Sequence, residues 1–184
     1  MFDRERSVDS ATEFVRRHGA LLRGLTDQRI RQVVTAWDSS RAEWFSDEAV
    51  VVDLGAARLE IVCWKLSDIM LSLNEIDLSA PPSWVADWGS DFELAWRPAT
   101  LPELQSCVGQ PIAAINVLEY HFSTTVVRDP HNPSNVGRHN STWLLHGIEF
   151  ELASGVLAVF NDLDKNGITA TAPSGPDFRR FPLQ

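Results

Sequence analysis

The chain has 184 residues, of which 16 are basic and 25 are acidic, so its formal charge is −9. A chain of this length forms one domain or two small ones and can bury a core without disulfides or metal. The acidic balance argues against nucleic acid as a partner, because phosphate binding requires clustered Lys and Arg. It also argues against an anionic membrane surface. We expect no cofactor.

The sequence carries no sign of export or of a membrane segment. The stretch from Met1 to Ser10 is polar and charged and lacks the apolar region of a signal peptide. No stretch approaches the roughly 18 apolar residues of a membrane-spanning helix. Cys63 and Cys107 both lie among apolar residues, which favours buried thiols over a disulfide. The default expectation is a cytoplasmic protein.

The first half of the chain predicts a helix followed by strands. Ser10 and Glu13 have the spacing of a capping box at a helix N-terminus, and apolar residues follow at helical spacing. Gly55-Ala56-Ala57 is typical of a tight turn between two strands. The predicted strands are Ile30–Trp37, Ala49–Leu54, Arg58–Trp64 and Asp68–Leu78.

The second half repeats this order. Thr100 and Glu103 have the spacing of a second capping box. An offset of 82 aligns Ile30 with Ile112, and an offset of 98 aligns Leu59 with Leu157, so the second copy carries an insertion near Val126 to Ser141. The strands predicted here are Ile112–Phe122, Trp143–Leu152, Gly155–Phe160 and Ile168–Ala172.

These elements predict an α+β fold that is mostly antiparallel β, built from two duplicated helix-plus-meander units. We expect an N-terminal helical segment at residues 1–19 and a first β-rich repeat at 20–82. A Trp-rich connector follows at 83–98, and a second β-rich repeat at 99–184. Whether the two repeats share one core is left open by the pattern.

The connector combines tryptophans with carboxylates. Such a mixture is typical of an anchor surface for a basic protein partner, since aromatic side chains dominate interface energies and charge steers the encounter. The alternative is a solvated acidic stretch whose rings only cover a sheet face. The residues expected to bind a partner are Trp84, Asp87, Trp88, Asp91, Glu93 and Trp96.

A second set of residues would serve acid–base chemistry or a metal ion. Glu119 and His121 are two apart in a predicted strand and therefore share a face. His139 and His146 come from the insertion and the following strand. Zinc needs three or four convergent ligands, which only the fold can provide. The alternative is that these are solvated or hydrogen-bonded side chains.

The segment from Asp162 to Gly167 matches the opening of an EF-hand loop. Position 12 of that loop is Pro173 instead of the usual bidentate Glu, and the preceding residues predict a strand instead of a helix. Asn166-Gly167 is itself a strong hairpin-turn signal. We therefore expect a plain turn and no bound calcium.

Three strings resemble a family of small, uncharacterised bacterial proteins of unknown function. They are Asn74-Glu75-Ile76-Asp77-Leu78-Ser79-Ala80-Pro81-Pro82-Ser83-Trp84, Trp88-Gly89, and Asn161-Asp162-Leu163-Asp164-Lys165-Asn166-Gly167. The resemblance covers most of residues 20–170. It implies a bacterial cytoplasmic protein with an immunity-type or accessory role, and it supplies no catalytic residues.

The pattern as a whole predicts a non-catalytic, acidic protein-binding module, in its most concrete form an immunity protein that neutralises a basic toxin. One alternative is a small-molecule binder or a hydrolase-type enzyme with a cleft between the two repeats, using Glu119 and His121 as acid–base groups. The other is a scaffold that self-associates through sheet edges or tryptophans.

Overall fold

The structure is a computed structural model that describes residues 7–82, 92–125 and 139–183, with His139 described by its backbone alone. These residues form one α-helix, one short 3-10 helix and eleven strands. The helix α1 is Ala11–Arg23 and the 3-10 helix is Pro102–Ser106. The strands are β1 Gln32–Asp38, β2 Glu43–Trp44, β3 Val50–Asp53, β4 Arg58–Trp64, β5 Asp68–Leu73, β6 Leu94–Pro98, β7 Ile112–Thr125, β8 His139–Leu152, β9 Gly155–Asn161, β10 Asn166–Thr169 and β11 Phe178–Pro182.

The helix α1 begins where the sequence predicts. The hydroxyl oxygen of Ser10 accepts from the backbone N–H of Glu13, which satisfies one of the exposed donors of the first turn. The carboxylate of Glu13 pairs with Arg16 and Arg17 on the exposed side. Gly19 lies within the helix without ending it, so α1 is one piece that runs across the boundary expected at 19/20.

The first sheet is an antiparallel meander with a returning strand. Strands β1, β3, β4 and β5 lie side by side. Strand β2 pairs with the last two residues of β1, on the same side of β1 as β3. Strand β6 pairs along the opposite side of β1. The second sheet has the same design, since β7, β8, β9 and β10 form the meander and β11 returns to pair with β7.

The registers of the two meanders also match. Val33 pairs with Val52 in the first sheet, and Ile115, 82 positions after Val33, pairs with Phe150, 98 positions after Val52. The same offsets convert every pair of the β1–β3 ladder into a pair of the β7–β8 ladder, and an offset of 98 does so for β3–β4 and β8–β9. Shared strand order is thus accompanied by shared register.

The prediction that each repeat begins with an α-helix is wrong for the second repeat. One α-helix occurs in the described residues, and the counterpart of its last turn is the 3-10 helix. This element begins after Leu101, and no side chain caps it, so Thr100 and Glu103 do not form a capping box. Five residues with a proline in the first turn are too few to propagate an α-helix. The fold is mostly antiparallel β with one helix.

The two sheets share one hydrophobic core. Inward-facing residues of both meanders belong to a single buried cluster, together with Phe14 and Leu22 of α1. The units also meet through an isolated bridge between Arg29 and Pro111. Among the described residues, no helix combines the length and the apolar character needed to cross a membrane.

A buried asparagine fastens the two sheets together. The side-chain amide of Asn166, on β10, donates to the carbonyls of Ser46 (2.9 Å) and Glu48 (2.8 Å). Its oxygen accepts from the backbone N–H of Cys63 at 2.8 Å. Asn166 is only 1% exposed, so the first sheet supplies all three of these partners inside the protein.

Each returning connection is held by a buried carboxylate. Glu60 on β4 accepts from the backbone N–H groups of Glu75 and Ile76, at the start of the connection from β5 to β6. Glu149 on β8 accepts from Arg180, which also donates to the carbonyl of Pro173 in the connection from β10 to β11. Both glutamates are 1% exposed. Part of the acidity of the chain is therefore internal.

The returning strands end in prolines at matching positions. Pro182 lies opposite Asn116 and Pro98 lies opposite Val34, and these partners are again 82 residues apart. The amide of Leu183 donates inward to Ile115, so alternation turns the nitrogen of Pro182 away from the sheet. Proline thereby removes a donor from the open edge, which discourages pairing with another strand.

Candidate functional site

A concavity lies on the outer face of the second sheet, the face turned away from the shared core. It has a volume of about 340 Å³ and is named here the aromatic pocket. Nine of its lining residues belong to the second sheet and its connections, and one belongs to the turn between β4 and β5. The lining residues are Leu66, Tyr120, Phe122, Leu144, His146, Phe160, Asn161, Asp162, Leu163 and Phe178.

The floor of the pocket is a cluster of half-buried rings. The ring centroid of Tyr120 lies 5.3 Å from that of Phe178 and 5.7 Å from that of His146. His146 lies 5.3 Å from Phe160 and 5.5 Å from Phe178. These are ordinary separations for tilted aromatic packing. The rings of β7, β8, β9 and β11 therefore form one continuous aromatic surface.

Two glycines make room for Phe160. A Cβ on Gly167 would lie 2.5 Å from the Phe160 ring, and one on Gly147 would lie 2.8 Å from the Phe160 Cα. Such separations are too short for non-bonded carbon atoms. The ring of Phe160 can lie close to the sheet because both neighbours lack a side chain. The glycines therefore help to keep the pocket open.

His146 reaches the outer face through an irregularity in β8. Leu118 pairs with Gly147 whereas Glu119 pairs with Leu145, so His146 is the extra residue of a β-bulge. Burial among the rings lowers the pKa of His146 to about 4, against a smaller opposing effect of the Asp162 carboxylate. The imidazole is consequently neutral at pH 7.

The rim of the pocket exposes two leucines. Leu163 is 74% exposed at the β9–β10 turn, and Leu66 is 45% exposed at the β4–β5 turn. Leu163 and Asp164 have φ angles of 55° and 72°, in the left-handed region where Gly, Asn and Asp are favoured. The side chain of Asp162 adds a carboxylate to this rim.

The β9–β10 connection is a plain turn, as expected, but its central residues are not Asn166 and Gly167. The N–H of Asp162 donates to the carbonyl of Lys165 at 2.8 Å, so Leu163 and Asp164 are the two central residues. Asn166 and Gly167 lie in β10 instead of in the turn. The sequence signal was misleading because the buried contacts of Asn166 and the ring of Phe160 account for these two residues.

The proposed acid–base residues lie on different faces of the second sheet. Glu119 is 6% exposed and accepts a hydrogen bond from Arg179. His121 Nδ1 lies 3.6 Å from Asp177 Oδ1, and the His121 ring packs 5.0 Å from Trp143. Alternation along β7 places Glu119 and His121 opposite to Tyr120, and hence on the other side of the sheet from His146.

No metal-ligating group of three or more His, Cys, Asp or Glu residues occurs in the described ranges. His139 begins β8 opposite Thr125.

Cys63 is fully buried and burial raises its pKa well above the usual range, while burial also raises the pKa of Cys107. Both thiols are therefore protonated at neutral pH, as expected for core cysteines.

Part of the expected connector surface can be located. Trp96 lies on β6 and packs against Ala49, Val62 and Met70 on the outer face of the first sheet. Glu93 is exposed, and its N–H donates to Asp38 Oδ1 at 3.4 Å. Trp84, Asp87, Trp88 and Asp91 lie outside the described residues. Trp96 thus covers a sheet face, the alternative considered for these rings.

Comparisons with protein-family models, with curated proteins and with solved structures gave no match. The fold and the aromatic pocket therefore carry the functional argument.

Sequence reasoning missed the pocket residues Phe160 and Phe178. Tyr120 and Phe122 share a strand face by simple alternation, which was a usable signal. Phe178 joins them only because β11 returns to β7, and that pairing has no local signature in the sequence.

Proposed function

We propose that this chain is a non-catalytic, acidic protein-binding module and that the aromatic pocket holds an apolar group of its partner. The observation that carries the proposal is Leu163, which is 74% exposed on the rim. Its left-handed backbone would be less strained with Asn or Gly. A leucine there is better explained by contact with a partner than by the turn itself.

The apolar surface around the pocket supports a protein partner. Covering a leucine side chain contributes about 1.5–3 kcal/mol, and two rim leucines flank the half-buried rings. Exposed apolar patches with polar borders are typical of protein interaction sites. Aromatic pockets of this kind often receive a single anchoring side chain.

The charge supports a basic partner. The chain has a formal charge of −9, and Asp162 places a carboxylate beside the pocket. Opposite charge accelerates encounter and disfavours acidic competitors. A basic toxin neutralised by an immunity-type protein is the most concrete version of such a pair.

The connector at 83–98 remains part of the proposal as a second contact surface. Glu93 is exposed there, whereas Trp96 is engaged by the first sheet. A Trp88→Ala variant tests this surface separately from the pocket.

A small-molecule binder is the second candidate function. The volume of about 340 Å³ lies at the lower end of the range for ligand pockets. Leu66 comes from the β4–β5 turn and the other lining residues from the second sheet and its connections, so both units contribute to the pocket. In that case the ligand would occupy the aromatic floor instead of Glu119 and His121.

We also propose that the two sheets arose by duplication, supported by their common strand order and matching registers. A scaffold that self-associates through sheet edges is less favoured, because Pro98 and Pro182 remove outward-facing donors.

The test is retention of a partner by variants of the immobilised chain. Leu163→Asn removes the more exposed of the two rim leucines while suiting the left-handed backbone. Val108→Asn is the matched control, since Val108 is 42% exposed and does not line the aromatic pocket. We expect one basic protein from the native extract to bind the wild type and the control, to be lost with Leu163→Asn, and to elute as salt rises. Equal retention by all three chains would contradict the proposed site.

A further inference from the structure

We propose that the aromatic pocket selects an apolar group that carries a positive charge, as in an aralkyl ammonium or a Lys or Arg side chain beside an aromatic residue. This inference rests on the proposed function and adds to it the chemical class of the bound group. It follows from the combination of aromatic rings, a neutral imidazole and one carboxylate around a single cavity.

The rings provide the first part of the selectivity. Tyr120, Phe160 and Phe178 line the cavity with their ring centroids packed around His146. A cation within about 6 Å of an aromatic centroid is attracted by the electron-rich ring face. The same faces repel a carboxylate or phosphate. The pocket therefore favours apolar groups in general and cationic ones in particular.

The histidine does not oppose a cation. Burial keeps His146 neutral near pH 7, because its pKa is lowered to about 4. A protonated imidazole at the centre of the floor would cancel the attraction of the rings. The bulge that seats His146 among Tyr120, Phe160 and Phe178 thus leaves the site without an internal positive charge.

Asp162 provides the counter-charge at the rim. Its Oδ2 lies 3.8 Å from Lys165 Nζ, and the two side chains are 54% and 49% exposed. An ion pair this long and this exposed is weak, so an incoming cation can share or replace it. Lys65, on the neighbouring turn, is instead directed to Asp68, at 3.7 Å.

Probes of one shape and three charges test the selectivity. 2-Phenylethylammonium, 2-phenylethanol and phenylacetate are titrated into the ¹⁵N-labelled full chain at pH 7, and amide shifts give affinity and location. Ligands this small bind with dissociation constants on the order of 1 mM. We expect shifts at residues 144–147, 160–163 and 178, with the ammonium tightest and phenylacetate weakest.

Two variants assign the charge effect. Asp162→Asn should weaken the ammonium about three- to fivefold, as for an exposed ion pair, and leave 2-phenylethanol unchanged. Asp164→Asn is the matched control, because Asp164 lies on the same turn, is exposed and does not line the pocket. It should bind all three probes as the wild type does.

A capped peptide identifies the source of the ammonium. In an acetylated and amidated peptide with the sequence Ala-Lys-Phe-Lys-Ala, the positive charges lie on side chains alone. Tighter binding of this peptide than of 2-phenylethylammonium assigns the site to a protein-borne group. Weaker binding assigns it to a free amine. The first result supports a protein partner, whereas the second contradicts it and retains only the cationic, apolar ligand class.

The contrary results are distinct. Equal affinity for the ammonium and the alcohol, or an Asp162→Asn variant that behaves like wild type, overturns the charge selectivity while leaving the pocket as an apolar binding site. Absence of shifts at the pocket with all probes and the peptide overturns both this inference and the proposed function.

Discussion

Arg180 donates to both carboxylate oxygens of Glu149, Nε to Oε1 at 2.7 Å and Nη2 to Oε2 at 2.9 Å. The glutamate is buried in β8 and the arginine comes from β11, on the far side of β7. Asn116 of the intervening strand donates to the same carboxylate at 3.0 Å. On the opposite face, Arg179 pairs with Glu119. Two consecutive arginines thus attach β11 to the sheet from both sides.

Replacing Arg180 should destabilise the protein. Arg180→Met leaves the carboxylate of Glu149, which is 1% exposed, without its cation. We expect a loss of about 1–3 kcal/mol in the free energy of unfolding, less than for a fully buried pair because the arginine side chain is 35% exposed. Urea unfolding provides the measurement. The double variant Glu149→Gln/Arg180→Met should recover part of the loss, and failure to do so would contradict the pairing as the cause.

Removing the side chain of Asn166 should weaken the contact between the two sheets and destabilise the protein. Asn166→Ala deprives the buried carbonyl of Glu48 and the buried N–H of Cys63 of their partner, while the carbonyl of Ser46 still accepts from the backbone N–H of Asn166. Each buried group left unsatisfied costs about 1–3 kcal/mol, and water entry reduces the sum, so we expect a loss of about 2–4 kcal/mol. Asn140→Ala, at an exposed position of β8, is the control and should change stability little. Equal denaturation midpoints for the two variants would refute the role of Asn166.

Two glycine-to-alanine substitutions should change the stability of the protein in opposite directions. Gly147→Ala places a Cβ against the backbone of Val159 and Phe160, which cannot move without disturbing the β8–β9 ladder. Gly19→Ala meets only side-chain atoms of Arg23 and Val15, at 3.3 and 3.4 Å. Within a helix, alanine is favoured over glycine by about 0.5–1 kcal/mol. Thermal unfolding should show a lower Tm for the first variant and a higher Tm for the second. A raised Tm for Gly147→Ala would show that the close approach is not restrictive.

Protonation of His146 should make the protein less stable in acid. The folded pKa of about 4 is below the unfolded value of 6.5, so the unfolded chain binds more protons between these pH values. The free energy of unfolding therefore rises with pH across this window. The contribution of neutral His146 is fully present above about pH 6.5 and is lost as the pH falls towards 4. The shift corresponds to about 3 kcal/mol.

Urea unfolding at pH 4.5 and pH 7 tests this dependence. The difference between the two pH values should shrink in His146→Phe and persist in His121→Gln, where the imidazole is 34% exposed. A full pH dependence in His146→Phe would assign the effect to other groups.

Restoring the donors at the sheet edges should promote self-association. Pro98→Val and Pro182→Val each return an outward-facing N–H to a returning strand. An open edge with complete donors is a template for another strand. Sedimentation velocity should show more concentration-dependent dimer for the double variant than for the wild type. Identical sedimentation of both chains would mean that the prolines do not protect the edges.

Most of the meander could be predicted from local patterns. Strand β4 and the turn at Gly55 are explicit in the sequence, and the structure confirms both. Strands β2, β6 and β11 were missed because their stability depends on pairing with distant β1 or β7. Strand β11 is largely exposed and rich in arginine, which is atypical of a strand considered alone.

The candidate site was harder to predict for the same reason. Glu119 and His121 share a face as expected. The bulge in β8 places His146 on the opposite face of the sheet, so these side chains do not converge on one site. Phe160 and Phe178 come together through two ladders and the returning strand. Spacing along the chain carries no information about such a meeting.

The attachment of β11 also orders events during synthesis. Glu119 and Glu149 are translated before their arginines, since β11 follows every other described strand. A nascent chain that stops before Arg179 would have to bury two carboxylates without their arginine partners. The second sheet, and with it the aromatic pocket, would therefore reach its final form only after translation has passed β11, which keeps an incomplete chain from displaying a finished binding surface.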